Sequence, residues 1–296
     1  MSEPKPIFEA GVAGKAHVGF SRDAKSLIAY SENGGFATEF TLPNKSGKQL
    51  NQVAGRNRAS SYNPLNRLLL IGHDDTQSSG KMIIDVQHLG SPQAVKQMDV
   101  TGSRLLIQHS GDRFAVSNKN GTAIYRAETF TRVVRWPLQL QRLDIGTKEA
   151  AAYDGKDVLV LAYPSGNVLR RFPRKSRDPG LAFIEATQQI AFVGPDFDFE
   201  LMDSRTGKTV WRIPSSGATS AIVVSPNHKY IAFGTLFGGF RVARVSDGKI
   251  ILTASSREAG SVYPTMGVDW SADSRTVAAG FDTGEVKAWD LGKSAQ

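Results

Sequence analysis

A polar turn that recurs along the whole chain is the feature that most restricts the fold. Each copy lies between two short apolar runs, and successive copies are separated by roughly 36 to 46 residues. The seven copies begin at Phe20, Tyr62, Gln108, Asp144, Phe183, Val224 and Trp270. Self-similarity at this period, continued through the chain, predicts one structural unit repeated seven times.

The last copy shows the unit most clearly. Residues 266–291 read MGVDWSADSRTVAAGFDTGEVKAWDL, in which two apolar runs flank the polar turn Ser271–Arg275. A glycine turn, Asp282–Gly284, precedes a third run in which Val286 and Ala288 alternate with charged residues. Period-two alternation between tight turns predicts short antiparallel strands.

A fourth apolar run follows the third in six of the seven units. The seventh is found at the beginning of the chain, where residues 8–21 have the layout of residues 212–225: a fourth strand crosses a small-residue loop into a first strand. We therefore predict an all-β fold, a single seven-bladed β-propeller whose N-terminal strand completes the C-terminal blade and removes the free sheet edges. The predicted domain spans 1–296, with blades at roughly 13–55, 56–100, 101–140, 141–175, 176–215, 216–258, and 259–291 plus strand 5–11.

The stretch 266–291 resembles one WD-repeat, whose pattern runs apolar-Ser-Pro-Asp-Gly, small apolar strand, Asp-Gly, apolar strand, Trp-Asp. As a pattern the resemblance covers essentially the whole chain, although only the last unit carries Trp-Asp, at Trp289-Asp290. It implies a divergent WD-like propeller. The family's His-Ser-Asp-Trp hydrogen-bond network is expected to be absent, because no Gly-His pair precedes the last unit and Ala279 stands where a hydroxyl is usual. Trp289 is then expected to act chiefly by packing.

Composition limits the function classes. The net charge of +8 and the pI near 9.6 favour encounters with acidic proteins or nucleic acid. No apolar run approaches the roughly 20 residues of a membrane helix, and the N-terminus lacks the apolar core of a secretory signal. With no cysteine there is no disulfide, thiolate nucleophile or cysteine-based zinc site. We expect no membrane insertion and a cytoplasmic or nuclear location.

Residues that could carry catalysis are few. The five histidines show no pair with the spacing of a zinc motif, and the only His/carboxylate cluster is His73–Asp75. Three alternate carboxylates in residues 195–200, PDFDFE, would share one face of a strand and could act as acid and base. The interleaved phenylalanines fit an ordinary two-faced strand better. We therefore expect no enzyme activity, no metal and no cofactor.

Binding surfaces are better marked. In WD-like propellers the top rim is built from the loops that enter each blade and from the turns between second and third strands. The densest basic run, 170–178, includes such a loop, and aromatic residues lie in neighbouring turns of the same rim. Arginine with aromatics is typical of interface hot spots, and it also suits contact with nucleic-acid backbones and bases. The alternative for the two phenylalanines is that they pack into their own blades. The predicted partner-binding residues are Arg56, Arg58, Arg174, Lys175, Arg177, Phe197, Phe237, Arg257 and Tyr263.

The favoured function is a non-catalytic protein–protein interaction scaffold or adaptor that binds an acidic protein or peptide on the top rim. The alternative is an RNA- or DNA-associated factor that contacts phosphates through the same basic rim. The sequence leaves the oligomeric state open.

Overall fold

A computed structural model describes residues 4–31, 36–42, 44, 47–52, 57–64, 67–74, 81–91, 94–101, 106–177, 179–214, 216–237, 239–256 and 264–293. Its strands form seven four-stranded antiparallel sheets, which are the blades of a ring. The predicted all-β fold and the predicted count of seven blades are therefore confirmed. No helix in the described part of the chain is long and apolar enough to cross a membrane.

The strands follow the apolar runs of the sequence. Blade 1 contains β2 (Ala16–Phe20), β3 (Ser26–Ser31), β4 (Phe36–Thr41) and β5 (Gly47–Gln52). Blade 2 contains β6 (Asn57–Asn63), β7 (Leu68–Asp74), β8 (Lys81–His88) and β9 (Ala94–Thr101). Blade 3 contains β10 (Leu106–Ser110), β11 (Arg113–Asn118), β12 (Gly121–Arg126) and β13 (Arg132–Trp136). Blade 4 contains β14 (Arg142–Ile145), β15 (Glu149–Tyr153), β16 (Asp157–Ala162) and β17 (Val168–Pro173). Blade 5 contains β18 (Leu181–Ile184), β19 (Gln189–Val193), β20 (Phe199–Asp203) and β21 (Thr209–Ile213). Blade 6 contains β22 (Ala218–Val224), β23 (Tyr230–Thr235), β24 (Gly239–Arg244) and β25 (Ile250–Ser255). Blade 7 contains β26 (Thr265–Trp270), β27 (Thr276–Phe281), β28 (Glu285–Asp290) and β1 (Phe8–Gly11). Short 3-10 turns lie at Glu185–Thr187 and Leu291–Lys293.

The N-terminal strand closes the ring as predicted. β1 pairs antiparallel with β28, with Phe8 opposite Ala288 and Gly11 opposite Glu285. The nearly buried ammonium of Lys287 reinforces this pairing, because it lies 3.7 Å from the Glu9 carboxylate and 3.6 Å from that of Glu285.

Trp289 packs as expected and also has a hydrogen-bond acceptor. Its ring is buried against Phe240, with 4.6 Å between the ring centroids. Its indole N–H donates to the carbonyl oxygen of Pro4 at 3.1 Å. The acceptor belongs to the segment that precedes β1, so Trp289 also fastens the N-terminal end of the chain to blade 7.

The polar turns of blades 1, 6 and 7 share one hydrogen-bond pattern. In blade 7 the Ser271 hydroxyl donates to Asp273 at 2.6 Å and accepts the backbone N–H of Thr276 at 2.9 Å. The same bonds form around Ser21 and Ser225. The fourth residue of each turn has a positive φ, which explains why a WD-repeat pattern has glycine there. These residues are Ala24, His228 and Ser274.

Blades 3, 4 and 5 are joined to their successors by a different contact. The outer strand of each blade inserts an aromatic ring against a glycine between the third and fourth strands of the next blade, and a Cβ at that glycine would overlap the ring. The pairs are Trp136 with Gly166, Phe172 with Gly207, and Trp211 with Gly248. The Trp136 and Trp211 indoles also donate to backbone carbonyls of the next blade, at 2.9 and 2.8 Å.

The alternating strand direction gives the ring two different rims. Turns between first and second strands and between third and fourth strands lie on one side, the bottom rim. Turns between second and third strands, together with the loops that lead from one blade to the next, lie on the other side, the top rim. The core lies between the blades, in clusters to which adjacent sheets contribute, such as that of Phe199, Phe233 and Ala182.

Candidate functional site

The described candidate residues lie in loops and turns of three consecutive blades, but the guanidinium of Arg174 reaches the Gly207 carbonyl, which lies in a bottom-rim turn of blade 5. Arg174, Lys175 and Arg177 lie in the loop between β17 and β18. Phe197 lies in the turn between β19 and β20, and Phe237 lies in the turn between β23 and β24. These segments belong to blades 4, 5 and 6, which are consecutive in the ring.

The side chains of the other four candidates lie outside the described part of the structure. Arg56, Arg257 and Tyr263 lie outside the described residues, and Arg58 lies in β6 at a position where only the backbone is described. Their role in binding stays a prediction.

Phe237 is the most exposed large apolar side chain among the described residues. Its exposed fraction is 59%, so it does not pack down into its own blade. The turn beneath it is fixed, because the Leu236 N–H donates to the carbonyl of Gly217 at 2.9 Å and the Thr235 hydroxyl donates to the carbonyl of Gly239 at 2.9 Å. Hydrogen bonds of Thr235 and Leu236 therefore hold the backbone that leads into Phe237, whose aromatic ring faces solvent.

Phe197 is half-buried and has φ 55°, a left-handed conformation that is uncommon for a residue of this size. Its carbonyl oxygen accepts the Ser216 hydroxyl at 2.7 Å and the Ala218 N–H at 2.9 Å. The loop 216–218 therefore contacts both turns: Ser216 and Ala218 donate to the Phe197 carbonyl, and the Gly217 carbonyl accepts from the turn that carries Phe237. We call this surface the aromatic patch; it consists of Phe197, Gly217 and Phe237.

Arg174 has a structural role that the sequence did not indicate. Its Nε lies 3.0 Å from the Glu200 carboxylate, and its Nη2 donates to the Gly207 carbonyl at 3.0 Å. Both acceptors are in blade 5, so the guanidinium joins two blades and its charge is compensated. Lys175 and Arg177 are exposed, and neither forms an ion pair with a described residue. The free positive charge of this loop is therefore smaller than the sequence suggests.

Two of the three carboxylates considered for acid/base catalysis, Asp198 and Glu200, are engaged in ion pairs. Asp198 Oδ2 accepts the Arg212 Nε–H at 2.6 Å, and Glu200 is held by Arg174 and by the Thr209 hydroxyl. Both carboxylates are buried. A catalytic base needs access to a substrate proton, which this packing does not provide.

The predicted His/carboxylate cluster is also rearranged. His73 Nε2 lies 3.1 Å from Asp85, which is on the adjacent strand β8, and Gln97 donates to the other oxygen of Asp85 at 2.9 Å. Asp75 lies outside the described residues. Within the described ranges, no group of three or more His, Asp or Glu side chains is arranged to hold a metal ion.

Comparison with solved structures gives the fold a name. The chain is similar in structure to the WD40 β-propeller domain of Doa1, with a match probability of 1.00 and a TM-score of 0.75. The match covers 96% of each chain at 12% sequence identity. The chain has a WD40-type β-propeller fold. No family model and no curated protein matches the sequence. The likeness between this WD40-type propeller and the Doa1 domain is therefore one of fold.

Proposed function

We propose that this WD40-type propeller is a non-catalytic protein-interaction scaffold that binds an acidic protein or peptide at the aromatic patch on its top rim. The observation that carries the proposal is the exposure of Phe237 on a turn fixed by hydrogen bonds. An ordered aromatic side chain loses little conformational entropy on binding, and such side chains are the usual energetic centres of interfaces.

Charge supports the choice of an acidic partner. Lys175 and Arg177 are exposed and carry positive charge on the same rim, within a chain of net charge +8. Charges of this kind speed the encounter with an acidic partner, whereas the apolar contact lengthens the lifetime of the complex. Arg174 is left out of the binding set, because its guanidinium is engaged with Glu200 and Gly207.

The test is affinity capture of partners from nuclease-treated extract with three variants. Phe237→Ser should abolish recovery of the partner, and Lys175→Glu with Arg177→Glu should reduce it. Lys229→Glu, on the bottom rim of blade 6, is the control that should retain it. All four positions are exposed, so melting temperatures should stay within about two degrees of the parent.

Two outcomes would overturn the proposal. If Phe237→Ser recovers the same partners as the parent, the aromatic patch is not the binding site. If recovery requires nucleic acid and falls steeply with salt, at nearly one unit of log-log slope per phosphate contacted, the protein is a nucleic-acid-associated factor instead.

A further inference from the structure

The outer strands of six blades share a β-bulge at the same position. In blade 3, Ile124 pairs with Val134 and Tyr125 pairs with Arg132, which leaves Val133 without a partner residue. The registers of the other five outer strands skip one residue in the same way. The skipped residue is aliphatic every time: Leu50, Val95, Val133, Leu169, Val210 and Ile251.

In blades 3, 4 and 5 the bulged aliphatic side chain faces solvent. Val133 is 39% exposed, and Leu169 and Val210 are each 48% exposed. Val168, which precedes Leu169, is 42% exposed. These four are most of the exposed large apolar side chains in the described residues, and the others are Ile7 and Phe237. Exposed apolar side chains that recur at the same position on the outer strands of three consecutive blades mark a candidate interaction site.

The same three strands differ in charge from the other outer strands. β13, β17 and β21 contain five arginines and no acidic residue. The outer strands of blades 1, 2, 6 and 7 contain two lysines and two acidic residues. Three of the five arginines are paired with carboxylates of their own blades: Arg170 with Glu149, Arg171 with Asp154 and Asp157, and Arg212 with Asp198. Arg132 and Arg135 are exposed and have no acidic partner among the described residues, so the positive charge beside Val133 complements an acidic partner.

Two of these arginines are held in an equivalent, outward-facing arrangement. Arg171 Nη1 and Arg212 Nε each lie 2.6 Å from a buried carboxylate of the adjacent strand region, Asp157 and Asp198 respectively. The carboxylates are 6% and 4% exposed, whereas the guanidinium side chains are 46% and 50% exposed. Because a guanidinium has five N–H donors in a rigid fork, the buried carboxylate orients it and leaves further donors for a partner.

We propose that the outer strands of blades 3, 4 and 5 form a second docking surface, the outer-strand surface, which binds an acidic polypeptide segment carrying aliphatic side chains. The aliphatic side chains of the segment cover Val133, Leu169 and Val210, and its carboxylates bind the exposed guanidinium groups of Arg132 and Arg135 and the remaining N–H groups of Arg212. The bulges interrupt the hydrogen-bonding edge of each outer strand, so side chains and not an added β-strand make the contact. The surface is continuous with the top rim, since β17 leads directly into the loop of Lys175 and Arg177. It does not depend on the aromatic patch.

The test is a fluorescence-polarisation titration with a fluorescein-labelled peptide made of three Glu-Leu-Glu-Gly units. The combined variant Val133→Ser, Leu169→Ser, Val210→Ser should weaken binding by about tenfold or more, corresponding to about 1.4 kcal/mol. Arg212→Lys, which keeps the charge opposite Asp198 but loses the fork, should weaken binding less. A peptide with Gln in place of Glu should bind poorly to the parent protein.

Phe237→Ser separates this proposal from the proposed function, because it should leave peptide binding unchanged. The proposal is wrong if the triple serine variant binds the peptide like the parent, if Phe237→Ser alone abolishes binding, or if the parent fails to bind at about 1 mM, the weakest affinity expected of a specific contact. It is also wrong if sedimentation shows a dimer that the triple variant dissociates, or if a labelled single-stranded oligonucleotide binds this surface in preference to the peptide. Melting temperatures and circular dichroism of each variant verify that the fold is retained.

Discussion

Two arcs of this propeller reach the same architecture through different contacts. Blades 6, 7 and 1 repeat a serine-centred polar turn, and the ring closes within this arc through β1, Lys287 and Trp289. Blades 4 and 5 lack that turn network in the described structure, and aromatic rings from the outer strands of blades 3, 4 and 5 pack against glycines of the following blades. The first arc combines local turn hydrogen bonds with packing between blades such as that of Trp289 on Phe240, whereas the second has the aromatic–glycine contacts. A WD40-type fold therefore tolerates the loss of its repeat pattern where inter-blade packing replaces it.

The largest effect should follow from removal of the closing strand. Deleting residues 1–11 removes β1 and the Pro4 acceptor of Trp289, and it leaves Lys287 without Glu9. The exposed edge of β28 should cause aggregation or a large fall in melting temperature. Size-exclusion chromatography and thermal unfolding measure this, and a truncated protein that is monomeric and melts normally would refute the closure of the ring by β1.

The aromatic contacts of the second arc should be next in size. Trp136→Ala should lower the free energy of unfolding by about 3–5 kcal/mol, because the side chain is fully buried and its indole is hydrogen-bonded to Pro164. Trp136→Phe, which retains most of the packing, should lose much less. Denaturant titration distinguishes the two. Similar losses for both variants would mean that the hydrogen bond, and not packing between blades, stabilises this arc.

The turn network of the first arc should contribute less per residue. Ser271→Ala removes a buried hydroxyl that bonds Asp273 and the backbone of Thr276, and it should lower the free energy of unfolding by about 1–3 kcal/mol. A surface control in the other arc is Lys148→Ala, in the corresponding turn of blade 4, where the side chain is exposed. It should alter stability by less than about 0.5 kcal/mol. Equal effects of the two changes in denaturant titration would remove the distinction between the arcs.

The smallest effect should be a pH dependence of the free energy of unfolding that arises from Asp269, at the junction of blades 7 and 1. Asp269 accepts the Phe20 N–H at 2.7 Å, and burial raises the pKa of its carboxyl from 3.8 to about 6. Because the folded pKa lies above the unfolded one, the contribution of Asp269 to stability is fully present below about pH 4 and is lost as the pH rises through about 6. Asp269→Asn should remove this slope, which cannot exceed about 1.4 kcal/mol per pH unit.

The quantity to measure is the difference in the free energy of unfolding between the parent and Asp269→Asn as a function of pH, because another group titrates in the same pH range. Burial lowers the pKa of His17 to about 4, and this contributes stability that is present above pH 6.5 and is lost as the pH falls through about 4. That slope has the opposite sign and cancels in the difference. A difference that stays constant between pH 4 and 7 would show that Asp269 does not titrate near 6.

The sequence predicts the fold well because the repeat is local. Each polar turn, each alternating strand and the match between residues 8–21 and 212–225 can be recognised within a short window. The pairing of Arg174 with Glu200 could not be predicted in this way, because it depends on which face of blade 5 meets blade 4. Gly166, Gly207 and Gly248, which are equally spaced, were a signal that could have indicated the aromatic contacts. The left-handed backbone of Phe197 has no sequence signal, since nothing local favours it there.

The most direct test of the scaffold assignment is photo-crosslinking from the two rims of one blade. A photoreactive phenylalanine analogue is placed at Phe237 on the top rim and, in a separate protein, at Lys229 on the bottom rim. The account predicts a protein adduct from position 237 that persists after nuclease treatment, and none from position 229. An adduct from position 229 alone, or adducts that disappear with nuclease, would contradict it.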